Sequence, residues 1–305
     1  MGPPPSRRPA SLAAWLSANA FHPAPGALAP GVSAGPPWAG GRPRVIGILN
    51  LTPDSFSDGG RLSTVEDALR AAGRMLAQGA DGLDLGGQST RPGASDVGPE
   101  EEARRVLPAL AAIRATHPEA ILSVDTFRAP VAAAALEAGA DWINDVGGGR
   151  RDPAILKVVA AADCPYVLMH SRGDSTSMDE LAIYRDVVLE VRQELLEGSG
   201  RAMAAGIRRE RLIWDPGLGF AKTTEQNLEL LRRLSELAGD GFPLLVGPSR
   251  KRFIGAVLEE PRPRARLWGT AAVCGQAIAA GAAILRVHDV GPIVQVVRMA
   301  AVLRG

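Results

Sequence analysis

Residues 64–86 have the sequence TVEDALRAAGRMLAQGADGLDLG, which predicts one helix followed by one strand. Thr64 suits the cap at the start of a helix, and Gly79 suits its end. The run DGLDLG at 81–86 is short and mostly apolar, as expected of a strand that is covered on both faces of a parallel sheet. This stretch therefore predicts one repeating unit of an α/β fold.

The same alternation of short apolar runs and longer amphipathic runs continues on both sides of this unit. The predicted strands are 44–50, 81–86, 121–126, 142–146, 166–170, 212–217, 243–249 and 283–289. The predicted helices are 64–79, 99–117, 128–139, 152–162, a long one near 180–205, 224–239, 264–281 and 291–305. Eight such pairs over about 260 residues predict a closed (β/α)₈ TIM barrel. An open, doubly wound sheet is the alternative.

The chain is predicted to contain one barrel domain at 43–305 and an N-terminal tail at 1–42. The tail is rich in Pro, Ala and Gly, which predicts a loosely ordered segment. Hydrophobic residues make up 46% of the 305-residue chain, enough for one large core. The sequence shows no linker and no second domain.

Charge and cysteine content limit the possible partners and location. A net charge of +1 gives no reason to expect a nucleic acid or an acidic membrane surface as a partner. No uncharged apolar run reaches the length of a membrane span. Cys164 and Cys274 are far apart and show no zinc spacing, so both are predicted to be buried, unpaired residues of a cytoplasmic protein.

Polar residues stand at the end of every predicted strand. They are Asn50, Asp84, Asp125, Asn144 with Asp145, His170, Asp215, Ser249 to Lys251, and Arg286 with His288. The carboxyl ends of the strands form the catalytic face of a TIM barrel. Polar strand ends are common in any fold, but eight of them in register predict one polar mouth.

Two groups of side chains at this mouth suit different ligands. Arg91, Arg286 and His288, with Asn50 and Thr90, supply donors and positive charge that suit a multiply charged anion.

The second group is formed by Asp125, Asn144 and Asp215, which suit the edge of a flat heterocycle with several N–H groups. Lys251 would lie between the two groups. The chain has no G-x-S-x-G, H-E-x-x-H or Walker A motif. An anion site without an obvious nucleophile predicts leaving-group catalysis, in which a second substrate attacks the carbon that pyrophosphate leaves.

Several motifs carry a specific resemblance. In chain order they are GILNLTPDSFSDGG (47–60), GGQSTRPGA (86–94), SVDT (123–126), IND (143–145), DPGLGFAKT (215–223), GPSRKRFIG (247–255) and RVHDV (286–290). Together they resemble the dihydropteroate synthase family, and the match runs from Val45 to the end. The resemblance implies a TIM barrel transferase that joins 6-hydroxymethyl-7,8-dihydropterin pyrophosphate to p-aminobenzoate with Mg²⁺, and a homodimer.

The resemblance also implies roles for individual residues. Asn50 would be the magnesium ligand. Thr90, Arg91, Arg286 and His288 would contact the pyrophosphate, and Asp125, Asn144, Asp215 and Lys251 would hold the pterin. Among these, Lys251, Arg91, Arg286 and His288 would be catalytic. Phe56 and Pro92, on two loops that are mobile in the family, and Phe220 would line the substrate pockets.

Four positions depart from the family pattern. Gln88 stands where many members have Glu, Ala221 where many have Gly, and Ser171 where many have Met. Arg252 stands where many members have Ser near p-aminobenzoate.

Two other functions remain open. A folate-dependent methyltransferase module shares the barrel and part of the pterin site, but it has no pyrophosphate to bind. A non-catalytic pterin-binding paralogue would be expected to lack part of the anion site.

Overall fold

Eight short parallel strands alternate with helices along the residues that the computed structural model describes, which are 42–52, 64–90 and 93–304. The strands are β1 Arg44–Asn50, β2 Gly82–Gly86, β3 Ile121–Asp125, β4 Trp142–Asp145, β5 Tyr166–Met169, β6 Leu212–Asp215, β7 Leu245–Val246 and β8 Ile284–Val287. The predicted tail lies outside the described residues except for Arg42, which donates a 2.8 Å hydrogen bond to Asp81.

The helices lie between and after the strands. They are α1 Val65–Ala77, α2 Pro99–Thr116, α3 Ala129–Glu137, α4 Ala154–Ala162, α5 Val187–Ala204, α6 Thr224–Arg232, α7 Leu234–Ala238, α8 Arg252–Val257, α9 Leu267–Ala279 and α10 Val290–Arg304. In the described part of the chain, none of them combines the length and apolar character needed to cross a bilayer.

The strands form one closed barrel. They pair in the order β6-β5-β4-β3-β2-β1-β8-β7, and every pairing is parallel. The two ends of this order meet where Trp214 of β6 forms a parallel bridge to Leu244, just before β7. There the Trp214 amide donates to the Pro243 carbonyl at 2.9 Å. The predicted (β/α)₈ barrel is confirmed, and the open sheet is excluded.

The alternation of side chains along the strands determines what reaches the barrel interior. On β2, Leu83 and Leu85 pack in the outer core between sheet and helices, so Asp84 points into the barrel. Arg286 on β8 likewise lies between two residues of the outer core. A smaller core inside the barrel is formed by Ile46, Trp142, Val167, Ile213, Leu245 and Ile284.

Local signals in the sequence account for most helix boundaries. Thr64 caps α1, since its hydroxyl accepts a 3.1 Å hydrogen bond from the Asp67 amide. Gly79 follows the end of α1 with φ of 96°, a conformation that glycine adopts without strain. Pro99 begins α2, as predicted.

Three predicted elements differ from the structure. The predicted helix near 180–205 begins only at Val187, because Asp186 caps it. The predicted helix 224–239 is divided at Arg233. The guanidinium of Arg233 donates hydrogen bonds to Asp186 and to Glu236 in the next turn. Strand β7 is shorter than predicted, because Gly247 and Pro248 follow it and proline has no amide hydrogen for a ladder.

Candidate active site

Four strands bring their terminal polar side chains together around Arg286. The Arg286 Nε donates to Asp84 Oδ2 at 2.5 Å, and its Nη2 donates to Asp125 Oδ2 at 2.7 Å. Asn144 Nδ2 donates to the same Asp84 oxygen at 3.0 Å. The carboxyl ends of β2, β3, β4 and β8 are therefore joined by one hydrogen-bonded cluster inside the mouth of the barrel.

This cluster keeps two acceptors without partners. Asp84 Oδ1 and Asn144 Oδ1 are buried and form no hydrogen bond with any described residue. A buried acceptor left unpaired costs about 1–3 kcal/mol, so such atoms usually mark the place of a ligand donor or a water molecule. Both atoms suit N–H groups along the edge of a flat ring.

Asp215, at the end of β6, is a further polar residue inside the mouth. Its side chain is buried, and Oδ1 accepts a 2.7 Å hydrogen bond from the Gly217 amide. Burial raises the pKa of Asp215, while the Gly217 amide and the charge of Lys251 oppose this shift. The carboxyl group therefore depends on nearby donors to stay ionised.

Lys251 and Phe220 form one wall beside Asp215. The Lys251 ammonium lies 4.2 Å from the centroid of the Phe220 ring. Burial lowers the pKa of Lys251 to about 8, and Asp215 opposes this shift. Lys251 can therefore donate a hydrogen bond at neutral pH and sits beside an aromatic surface.

The interior of the mouth contains more acidic than basic side chains. Asp84, Asp125 and Asp215 face two cationic side chains, Arg286 and Lys251. Burial raises the pKa of Asp125 to about 7, although Arg286 opposes it. Burial would lower the pKa of Arg286, but Asp84 and Asp125 raise it well above the ordinary value. The interior of the mouth therefore suits a neutral ring rich in N–H groups better than it suits an anion.

His288 and Asn50 form a separate group at the rim. The His288 Nδ1 lies 2.9 Å from Ser249 Oγ, which also accepts from the His288 amide at 3.1 Å. The His288 Nε2 lies 3.5 Å from Asn50 Nδ2. Arg286, which the sequence groups with His288, instead binds the carboxylates of Asp84 and Asp125.

Oxygen donors also converge above Gly86 at the end of β2. A Cβ atom at Gly86 would lie 3.7 Å from Asn50 Oδ1 and 3.8 Å from Asp125 Oδ2. The space is open because glycine has no side chain. Carboxylate and amide oxygens are the ligands that Mg²⁺ prefers, and the role of Asn50 as a magnesium ligand stays a prediction.

An open cleft adjoins this mouth, and Thr90, Val146, Arg151 and Phe220 are among the residues that line it. Thr90 and Phe220 therefore face the same space, and their role in binding substrate stays a prediction. Arg252, which departs from the family pattern, pairs with Asp179 at 2.8 Å.

Three of the predicted site residues, Arg91, Pro92 and Phe56, lie outside the described residues. The chain that follows Pro92 is held against the loop after β5. The Gly93 amide donates to the Ser175 carbonyl at 2.8 Å, and the Ser175 hydroxyl donates to the Ala94 carbonyl at 3.0 Å.

Two residues of this region have no role in the sequence prediction. Asp84 is predicted only as a strand end, although it binds both Asn144 and Arg286. Its position between two leucines is the signal that indicates an inward-facing side chain. The sequence gives no reason to expect that Lys222 is buried, because a lysine in a glycine-rich loop usually extends into solvent.

The family model described as pterin binding enzyme matches residues 46–288. A dihydropteroate synthase from Synechocystis is 49% identical over 264 residues, which cover 87% of this chain and 91% of that protein. The structure of Xanthomonas albilineans dihydropteroate synthase with 4-aminobenzoic acid has a TM-score of 0.81 and 45% identity, covering 87% of this chain and 94% of that one.

A second structure of the Xanthomonas albilineans enzyme, in complex with 7,8-dihydropteroate, has a TM-score of 0.78 and 42% identity, with coverage of 87% and 94%. The similarity therefore extends over nearly the full length of these proteins.

Proposed function

The chain belongs to the pterin binding enzyme family, and we propose that it catalyses the dihydropteroate synthase reaction. In this reaction 6-hydroxymethyl-7,8-dihydropterin pyrophosphate and p-aminobenzoate give 7,8-dihydropteroate and pyrophosphate. The observation that carries the proposal is the pair of buried, unpaired acceptors at Asp84 and Asn144, beside two further carboxyl groups. Such a floor recognises a flat ring with N–H groups along its edge.

The proposed pterin site lies in the interior of the mouth. Asn144 Oδ1 and Asp84 Oδ1 accept from ring N–H groups, and Asp125 and Asp215 accept from the others. Lys251 donates to a ring oxygen or nitrogen, since its ammonium already lies at the site. Phe220 packs against the flat face or against the second substrate in the adjoining cleft.

The proposed pyrophosphate site uses the rim. His288, Thr90 and Arg91 donate to the phosphate oxygens, and Arg286 reaches the bridge between ring and pyrophosphate. Asn50 would hold Mg²⁺ through its Oδ1 above Gly86. A bound Mg²⁺ would neutralise charge on the pyrophosphate oxygens.

The proposed chemistry breaks one carbon–oxygen bond and forms one carbon–nitrogen bond. The amine nitrogen of p-aminobenzoate attacks the methylene carbon of the pterin, and pyrophosphate leaves with the electron pair of the broken bond. The attacking nitrogen then loses one proton to solvent. Lys251, Arg91, Arg286 and His288 hold the reactants in line and stabilise the negative charge that builds up on the leaving group.

A pyrophosphate-release assay tests this proposal. Purified protein with the pterin pyrophosphate, p-aminobenzoate and Mg²⁺ is expected to release pyrophosphate and form dihydropteroate in equal amounts. Omission of p-aminobenzoate, or addition of excess EDTA, is expected to remove both products. Pterin binding without any turnover would instead indicate a non-catalytic paralogue. Binding of a methylated folate without use of the pyrophosphate would indicate a methyltransferase module.

We also propose that the protein is a cytoplasmic homodimer. Cys164 and Cys274 are buried and unpaired, which fits a reducing compartment. Trp268 on α9 and Val302 on α10 are 78% and 77% exposed, and these two helices pack against each other. Large exposed apolar side chains on adjacent helices fit a subunit interface. Sedimentation equilibrium is expected to give twice the mass of the chain, and a mass of one chain would reject the dimer.

A further inference from the structure

We propose that Lys222 is a positioning residue, which holds the loop after β6 in the shape that places Asp215 and Phe220 for the ring. The inference rests on the proposed function, because it concerns residues of the proposed pterin site. Lys222 is only 6% exposed, and its ammonium contacts the backbone of its own loop and the end of β5. It is therefore unlike an ordinary loop lysine, whose ammonium stays in water.

The contacts of Lys222 join two parts of its own loop to the end of β5. Its Nζ lies 3.1 Å from the Gly217 carbonyl, 3.1 Å from the Phe220 carbonyl and 3.0 Å from His170 Nδ1. An ammonium group has three donors and no acceptor, so these three acceptors match it. Burial lowers the pKa of Lys222 to about 7, and the charge of Asp215 opposes this shift. Lys222 thus binds the loop on both sides of its tightest turn.

His170 extends this connection to α5. Because its Nδ1 accepts from Lys222, the ring proton belongs on Nε2, which lies 3.2 Å from Glu194 Oε2. Burial lowers the pKa of His170 to about 3, which keeps the ring neutral and able to accept. Glu194 is held in turn by Arg172 at 2.9 Å. His170 therefore lies between the loop and α5. Its Nε2 is close to Glu194 without forming a hydrogen bond of regular geometry, and Glu194 and Arg172 are partly exposed.

The loop needs such an anchor because one residue of its backbone is in a disfavoured conformation. Gly217 and Gly219 have φ of 68° and 76°, which glycine adopts without strain, whereas Ala221 has φ of 46° without the freedom of glycine. A Cβ at Gly217 would lie 1.9 Å from the His170 carbonyl oxygen, so the backbones approach closely there. Conformations of this kind persist only where surrounding contacts impose them.

The shape of the loop also controls the proposed ring site. The Gly217 amide donates to Asp215 Oδ1, so a shift of this residue would turn the carboxylate. Phe220 precedes Lys222 by two residues and forms the wall beside Lys251. Lys222 therefore acts on the pterin only through the residues that it holds.

The test replaces Lys222 by methionine, which keeps an unbranched stem and removes the charge and all three donors. Calorimetry with free 6-hydroxymethylpterin is expected to show a Kd raised about tenfold or more. Amide exchange at Gly217 and Gly219 is expected to become faster, whereas exchange along β1 stays as in the wild type. The control is Ile155→Val on α4, which loosens the outer core away from this loop and is expected to leave the Kd and the Gly217 exchange unchanged.

The outcomes separate a positioning role from general support of the fold. Equal acceleration of exchange throughout the barrel, or a Kd within about twofold of the wild type, would overturn the inference. If Lys222→Met does not fold, His170→Leu removes one of the three acceptors and is expected to produce the same local change in exchange. Wild-type protein that binds no pterin would overturn the proposed function together with this inference, whereas equal binding by wild type and Lys222→Met overturns the inference alone.

Discussion

Replacement of Asp215 by alanine is expected to abolish measurable binding of free pterin. Asp215 is buried at the end of β6, and its carboxyl group faces the interior of the mouth. Without it, a bound ring would bury N–H groups that have no acceptor. Loss of a charged hydrogen-bond partner at a buried site costs about 3 kcal/mol, which corresponds to a Kd raised about a hundredfold or more.

The measurement is calorimetry with the free pterin, in the absence of pyrophosphate, so that only recognition of the ring is tested. Asp215→Asn keeps one acceptor oxygen without the charge and is expected to bind more weakly than the wild type but better than Asp215→Ala. Asp240→Ala is a matched control, because it removes a carboxylate that pairs with Arg192 on the outside of the barrel. Binding by Asp215→Ala within about threefold of the wild type would place the ring elsewhere.

The sequence predicts the barrel well because its signals are local. Thr64, Gly79 and the apolar run that ends at Gly86 define one unit by capping and periodicity alone. Eight such units have few possible arrangements other than a closed barrel, because parallel sheets need helices on their faces and right-handed crossover connections. The polar mouth follows from the same reasoning, because parallel strands place their carboxyl ends together.

The contacts inside the mouth depend on distant parts of the chain, and the sequence does not reveal them. The period of two along β2 places Asp84 inside the barrel, but Arg286 is 202 residues away in the chain. Residue chemistry alone places this arginine with the anion site. The structure adds two carboxylate partners, which no local pattern predicts.

Loop geometry is the other part that sequence reasoning does not reach. Ala221 adopts a left-handed conformation that its side chain disfavours, so propensity predicts the opposite. The burial of Lys222 likewise depends on the carbonyls of Gly217 and Phe220, which point toward it only once the loop has folded. Such features come from tertiary contacts that override local preference.

Replacement of Arg286 by alanine is expected to impair both ring binding and turnover. The arginine is the partner of Asp84 and Asp125 at 2.5 Å and 2.7 Å. Its loss would leave two carboxyl groups close together and buried without their shared counter-charge, which is strongly destabilising for such a site. The turnover number is expected to fall about a hundredfold or more, since a donor to the developing negative charge is also removed.

The pH dependence of pterin binding distinguishes the ring-side role of Arg286 from a role on pyrophosphate alone. At pH values below its pKa, the Asp125 carboxyl group is protonated and loses its negative charge. Pterin binding by the wild type is therefore expected to weaken as the pH falls through about 7. Arg286 opposes the raised pKa of Asp125, so in Arg286→Ala this weakening is expected to begin at a higher pH. Arg286→Lys restores the charge without the two-pronged geometry and is expected to recover the pH profile only in part.

If Arg286→Ala binds free pterin with the wild-type Kd and pH profile but turns over slowly, Arg286 acts only on the pyrophosphate. Its pairing with Asp84 and Asp125 would then have no part in holding the ring.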